Sequence, residues 1–198
     1  MHITPLAIKV DPLVGRGDRT AGMHLTEIIH YLELTDRGMP EPQHWEEAAA
    51  VGFYFEDAIR VALRDTWFRG TDREIIIPGE LEEDGIIGTP DGLERDGDED
   101  VLWEFKATWK SYKKSPPEDI WHYMVQIKGY LYMMRATKAR MAVLYLCGIY
   151  HPPEPLLIGV ELEFTVNELV DNWRMLTTGK ANMERLEAAG PWQMRVMT

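Results

Sequence analysis

The tightest constraint on the fold is the stretch from Asp100 to Thr108, DVLWEFKAT. Val101, Leu102, Trp103 and Phe105 make it a strand that is buried on at least one face. Yet the same strand carries Glu104 and Lys106. Side chains alternate along a strand, so Trp103 and Phe105 point one way while Glu104 and Lys106 point the other. The preceding segment GIIGTPDGLE (85–94) reads as a second strand, joined through the hairpin loop ERDGDEDV, and this places Asp91 alongside. Pro90 and Gly92 kink the chain there, and a bend of that kind re-aims a side chain. The three charges are either surface residues of a hairpin or a group that converges on something that needs them.

The flanking segments complete a pattern. MHLTEIIHYLEL (23–34) is an amphipathic helix with Leu25, Ile28, Ile29 and Leu32 on one side. A long helix over 43–67 follows Pro42, with a stripe of Val51, Tyr54, Phe55, Ala58, Ile59, Ala62 and Leu63. EIIIPGEL (74–81) is a strand ahead of the two already named. EDIWHYMVQIKGYLYMMR (118–135) is a helix whose buried row is Ile120, Met124, Ile127, Leu131 and Met134. ARMAVLYLCGIY (139–150) is a central apolar strand, LLIGVELEFT (156–165) another strand, and 166–190 a closing helix. The order α, α, β, β, β, α, β, β, α specifies an α/β (α+β) fold in one domain over 1–198. Its parts are a helical region about 23–70, a core about 71–165 and the last helix.

Length and composition narrow the function classes. A chain of 198 residues, 45% hydrophobic, supports one sizeable core and is not a disordered composition. No apolar run approaches the roughly 18 residues of a membrane span, and MHITPLAIKVDPLVGRGDR lacks the pattern of a signal peptide. Cys147 is the only cysteine, which excludes an internal disulfide framework, a zinc ribbon and a four-cysteine iron–sulfur cluster. A reducing cytoplasm is the expected compartment. The net charge of −12 argues against a generic nucleic-acid binder. Its distribution is uneven: residues 72–104 hold 13 acids and 2 bases, whereas 105–140 hold 8 bases and 2 acids. Either these are two solvated faces, or a cation site adjoins a track for a polyanion.

Two carboxylates on adjacent strands repel unless something positive stands between them. Mg²⁺ takes hard oxygen ligands and keeps several waters, so Asp91 and Glu104 with a substrate phosphate would suffice. Lys106 beside such an ion would orient or deprotonate an attacking water, or neutralise charge developing on the phosphate. That combination suits phosphodiester hydrolysis. Glu56 lies nearly in line with Gly52, Ile59 and Leu63 on the long helix, at the edge of its apolar stripe, while Asp57 faces outward with Arg60 and Arg64. It is either a third ligand or a snorkelling acid at a helix border. In ATWKSYKKSPPED, Trp109 and Tyr112 interleave with Lys110, Lys113 and Lys114, a composition that can track phosphates and stack on bases. The other reading is a solvated linker whose Trp109 packs on the core.

GTPDG, a hairpin and then WEFK resemble the signature of the PD-(D/E)XK nuclease superfamily. QIKGY (126–130) resembles the Q-x-x-x-Y motif of its RecB-like and lambda-exonuclease-like branches, and the helix carrying Glu56 resembles the acidic helix that precedes the core there. The similarity covers roughly residues 23–150 and implies a restriction-endonuclease-like αβββαβ core with a mixed central sheet. It implies Asp91 and Glu104 as metal ligands with Glu56 and the Phe105 carbonyl, Lys106 as the catalytic lysine, and Gln126 and Tyr130 as site residues. His24 is a further candidate ligand, because some RecB-like nucleases place a histidine on an N-terminal helix; His30 is the other histidine there. Lys128 joins the loop residues as a DNA contact. The implied cofactor is Mg²⁺ or Mn²⁺, one or two ions, without an iron–sulfur cluster. The implied activity is a phage-type DNA exonuclease for recombination or DNA processing, acting on linear or single-stranded ends. Self-association and a single-strand annealing partner protein belong to the same expectation, with no membrane, and with the host cytoplasm as location if phage-encoded. A restriction-like or structure-specific endonuclease, a non-catalytic nucleic-acid-binding relative and a structural Ca²⁺ hairpin are the alternatives. The intact Asp91, Glu104 and Lys106 speak against the last two.

Overall fold

The computed structural model describes residues 20–39, 45–96, 99–109, 116–146 and 156–189. Within them the elements run β1 (Met23–His24), α1 (Leu25–Thr35), α2 (Trp45–Asp65), β2 (Ile75–Ile76), β3 (Leu81–Glu83), β4 (Ile86–Gly88), β5 (Gly92–Asp96) and β6 (Glu99–Thr108). After a 3-10 turn at Pro117–Asp119 come α3 (Trp121–Met134), β7 (Lys138–Tyr145), β8 (Leu156–Glu163) and α4 (Val166–Ala189). This is the mixed α/β arrangement expected from the order of segments. Among the described residues, no helix is long and apolar enough to cross a membrane.

The strands form two sheets. One has the order β2-β5-β6-β7-β8, with β6 and β7 parallel and the other pairs antiparallel. The other is small, with the order β1-β4-β3. The expected strand over 85–94 is therefore two strands in two sheets, interrupted at Thr89–Asp91. Proline cannot donate to a ladder, so Pro90 is where the chain passes from one sheet to the other. The expected strand over 74–81 is likewise split: Ile75 and Ile76 form β2 and Leu81 begins β3, with Pro78 and Gly79 outside any pairing. Asp84 and Gly85 both have positive φ (52° and 68°) and close the β3–β4 hairpin in two residues, as a right-handed strand twist requires. The ERDGDEDV loop is shorter than expected, because Asp96 pairs with Glu99 and only Gly97 and Asp98 lie between the strands. The strand expected over 139–150 runs to Tyr145, and residues 147–150 lie outside the described residues.

The five-stranded sheet separates two cores. On one face Leu102, Ala139, Met141, Val143 and Tyr145 pack with α1, α3 and α4. Leu25, Ile28, Ile29 and Leu32 of α1 are all buried there, as the spacing predicts. On the other face Trp103, Phe105 and Ala142 pack under Ile59 and Leu63 of α2, with Phe68. The α2 stripe is narrower than predicted, since Tyr54 and Ala58 are exposed and Ile59 and Leu63 carry the contact. The α3 row also shifts: Val125, Ile127, Tyr130 and Leu131 are buried, whereas Met124 and Met134 are partly buried. Gly129 explains the tight seat, because a Cβ there would stand 3.0 Å from Leu25 and 3.3 Å from Leu176.

Candidate active site

Alternation along β6 sends Trp103 and Phe105 under α2, and Glu104 and Lys106 to the α3 face. Glu104 has 0% exposure, and Lys106 is mostly enclosed. They are thus not surface residues of a hairpin. Lys106 Nζ donates to Glu104 Oε1 and lies 4.0 Å from Asp91 Oδ2. Glu104 Oε2 is buried without a hydrogen-bond partner among the described residues.

Asp91 reaches this point because the chain breaks there. β5 begins at Gly92, opposite Trp103, so Phe105 lies beyond the end of that ladder. Its N–H instead donates to Asp91 Oδ2 at 2.8 Å. A residue's N–H and C=O leave a strand on the same edge, so the Phe105 carbonyl also faces the side where Asp91 stands. Gly88, just ahead of the break, lies against α3: a Cβ there would stand 2.7 Å from Tyr130 Cε1. Tyr130 is buried, and its hydroxyl accepts from Gln126 Nε2 at 3.0 Å.

Glu56 approaches from α2. Its side chain is 21% exposed and stands 3.8 Å from Arg60 Nη2. Burial first, and then the nearby Asp91 carboxylate, push its carboxyl up to about 7, against the pull of Lys106 and Arg60. Burial and Asp91 push Glu104 up to about 8, again offset in part by Lys106. Burial works against the Lys106 ammonium, but Glu104 and Asp91 outweigh it and hold the group well above the usual lysine range. Burial, with the charges of Glu104 and Asp91, raises the Tyr130 hydroxyl as well. Three elements, α2, β6 and α3, and the break between β4 and β5 therefore bring Glu56, Asp91, Glu104, Lys106 and Tyr130 within electrostatic reach of one another. Among the described residues, no three His, Cys, Asp or Glu side chains are drawn tightly round one point. The Lys106 ammonium stands between Glu104 and Asp91 and satisfies part of their charge.

The other expected residues have settings of their own. His24 is buried at the start of α1, where its N–H donates to Glu27 Oε2 (3.1 Å) and its Nε2 lies 3.1 Å from the Thr20 carbonyl oxygen. This is a helix-capping arrangement. Lys128 sits two residues after Gln126 and places its Nζ 5.4 Å from the Phe164 ring centroid. Trp109 is 70% exposed, so it does not pack on the core. Lys110, Tyr112, Lys113 and Lys114 lie outside the described residues.

Two neighbours escaped the sequence reading. Arg60 was expected to face outward with Asp57; it does meet Asp57, but it also turns in and donates to the Asp91 carbonyl at 3.0 Å. Its spacing of four from Glu56 was the available signal. Tyr123 lies under Lys106, with Nζ 5.7 Å from its ring centroid. It precedes Gln126 and Tyr130 by three and seven residues, the spacing of one helix face.

No protein-family model matches the chain, and no curated relative does. Solved structures do share its fold. An alkaline exonuclease (LHK-Exo) from Laribacter hongkongensis superposes with a TM-score of 0.56 at 14% identity, over 89% of this chain and 95% of that one. The same exonuclease in complex with dAMP gives a TM-score of 0.57. A phage related exonuclease from Haemophilus somnus 129PT gives 0.54 at 11% identity, over 84% of this chain and 83% of that one. At these identities the likeness is one of fold: the chain has the architecture of exonuclease structures.

Proposed function

We propose that the chain is a divalent-metal-dependent DNA nuclease that hydrolyses phosphodiester bonds, working as an exonuclease in DNA recombination or processing. The observation that supports this most is Glu104. Among the described residues, this carboxylate with no exposed surface pairs with a single cation, has two further acids near it, and keeps one oxygen without a hydrogen-bond donor. Undercompensated acids of this kind mark functional sites. The hard oxygens of Asp91, Glu104 and Glu56, with the Phe105 carbonyl on the same edge, fit Mg²⁺ or Mn²⁺. A bound ion supplies a Lewis acid that draws charge from a phosphate oxygen.

The chain's own groups do the rest. Lys106 is a protonated donor at the site, suited to orienting a water or neutralising charge on phosphate rather than to removing a proton. Gln126 and Tyr130 present polar atoms from α3 on the side of Glu104, and can hold a nucleotide against it. The fold is that of structures described as exonucleases, one of them holding dAMP, and this favours cleavage from ends. The decisive experiment incubates the protein with end-labelled linear and with circular DNA, in Mg²⁺ and in EDTA. Mg²⁺-dependent loss of linear DNA alone is expected. Cutting of circles would establish the endonuclease reading, and no cleavage of either would overturn the nuclease reading.

A further inference from the structure

Asp91 occupies an unusual position for a residue that must be held accurately. It lies in the break between β4 and β5, where neither sheet supplies its peptide with a ladder bond. Its carbonyl nevertheless has a donor, Arg60 Nη2, at 3.0 Å from a different element. At the other end of the same residue, the carboxylate is held by the Phe105 N–H. The Arg60 guanidinium lies over the Phe105 ring, 5.4 Å from its centroid. Arg60, Asp91 and Phe105 thus close a ring of contacts in which each member restrains the next. The arginine is itself fixed: Nη1 donates to Asp57 at 2.8 Å, and Ile59 and Leu63 anchor that part of α2 in the core. It also stands 3.8 Å from Glu56.

We infer that Arg60 is a positioning residue for the proposed ion site, setting Asp91 through its backbone and Glu56 through its charge. A plain surface ion pair with Asp57 would not need a side chain this enclosed, nor a donor directed at a main-chain carbonyl 31 residues away. The planar fork of arginine is what permits the arrangement. It donates in two directions while stacking on a ring, which a lysine ammonium cannot reproduce. Removing an outer partner that orients a ligand typically costs about 10–100-fold in metal affinity or activity.

This inference rests on the proposed metal-dependent nuclease, and its test separates the two. Mn²⁺ is titrated calorimetrically into the metal-free protein without DNA, using the parent, Arg60→Gln, Arg60→Lys, Arg64→Gln and Glu104→Gln. Arg64 lies on the same helix but is exposed and pairs with Asp65, so its variant controls for lost charge. Arg60→Gln should bind Mn²⁺ about 10–100-fold more weakly, with a melting temperature within a few degrees of the parent. Arg60→Lys should be weakened too, and it replaces Arg60→Gln should that variant not fold. Arg64→Gln should bind as the parent does. Parental affinity in the Arg60 variants, with affinity lost in Glu104→Gln, would overturn the role of Arg60 and leave the nuclease reading standing. Equal weakening in Arg64→Gln would reduce the effect to bulk charge and overturn it as well. Parental affinity in Glu104→Gln would remove the ion site and this inference together.

Discussion

Glu94 and Glu104 lie on paired strands of one hairpin, and both have 0% exposure, but they are treated in opposite ways. Glu94 lies on the α2 face with Trp103, where Arg140 Nη1 meets Oε2 at 2.7 Å and Arg73 Nη1 meets Oε1 at 3.0 Å. The Trp103 indole N–H adds a hydrogen bond at 2.8 Å. Two cations and a neutral donor thus compensate a single negative charge. Among the described residues Glu104 pairs with Lys106 alone, with Asp91 and Glu56 adding like charge. Burying a charge is costly unless it is paired and hydrogen-bonded. Each acid has one oxygen that accepts hydrogen bonds and another, Glu94 Oε1 or Glu104 Oε2, that accepts none among the described residues; what differs is the charge, two guanidiniums against Glu94 but a single ammonium and two further acids around Glu104. Burial alone therefore says little about the role of an acid in this chain; the balance of charge around it distinguishes Glu94 from the acid of the proposed site.

Substitutions that exchange the fates of the two acids put this contrast at risk. The largest effect should come from Glu104→Gln, or Asp91→Ala, each of which should remove Mg²⁺-dependent cleavage while circular dichroism stays parental. Cleavage at the parental rate by either variant would dismiss the site. Lys106→Ala should come next, losing roughly 100-fold or more in turnover, the range for one preorganised electrostatic group, with Mn²⁺ binding retained in calorimetry. Glu94→Gln should act on stability instead. Breaking a buried pair by removing one partner costs about 3–5 kcal/mol, so the melting temperature should fall by roughly 10 °C. Below that transition it should still cut; a folded Glu94→Gln protein without activity would end the division of roles.

A smaller effect sharpens the comparison through pH. Glu56 and Glu104 are raised to about 7 and about 8 from an ordinary 4.5. The folded chain therefore keeps protons that the unfolded chain has released. The stabilisation is complete below the ordinary value and is lost as pH rises through the two folded values. Urea unfolding of the metal-free protein should show stability declining between pH 5 and 8, by up to about 1.4 kcal/mol per pH unit for each group. Glu104→Gln should decline less steeply. A variant with the parental slope would mean that Glu104 is already ionised in the folded protein.

Much of this arrangement was legible beforehand. The two-residue alternation in WEFK separates Glu104 from Trp103 whatever the fold, because it follows from strand geometry. The apolar spacing in MHLTEIIHYLEL commits four side chains to one core, and all four are buried. Gln126 and Tyr130, four apart, had to share a helix face, and their hydrogen bond follows from that. Local periodicity records the direction in which each side chain leaves its element.

What it does not record is what waits there. Glu94 stands where the expected strand 85–94 meets the expected hairpin loop, and only the pairing of β5 with β6 and the register of Trp103 with Arg140 enclose it. Arg60 looked outward-facing until the break at Asp91 brought a main-chain carbonyl within its reach. The raised carboxyls of Glu56 and Glu104 arise from burial and from each other's neighbours, across elements far apart in the chain. The order of elements and the side chains that point together follow from local pattern. Tertiary pairing decided which charges are compensated, because desolvation and Coulomb energy depend on distances between segments that no local pattern specifies.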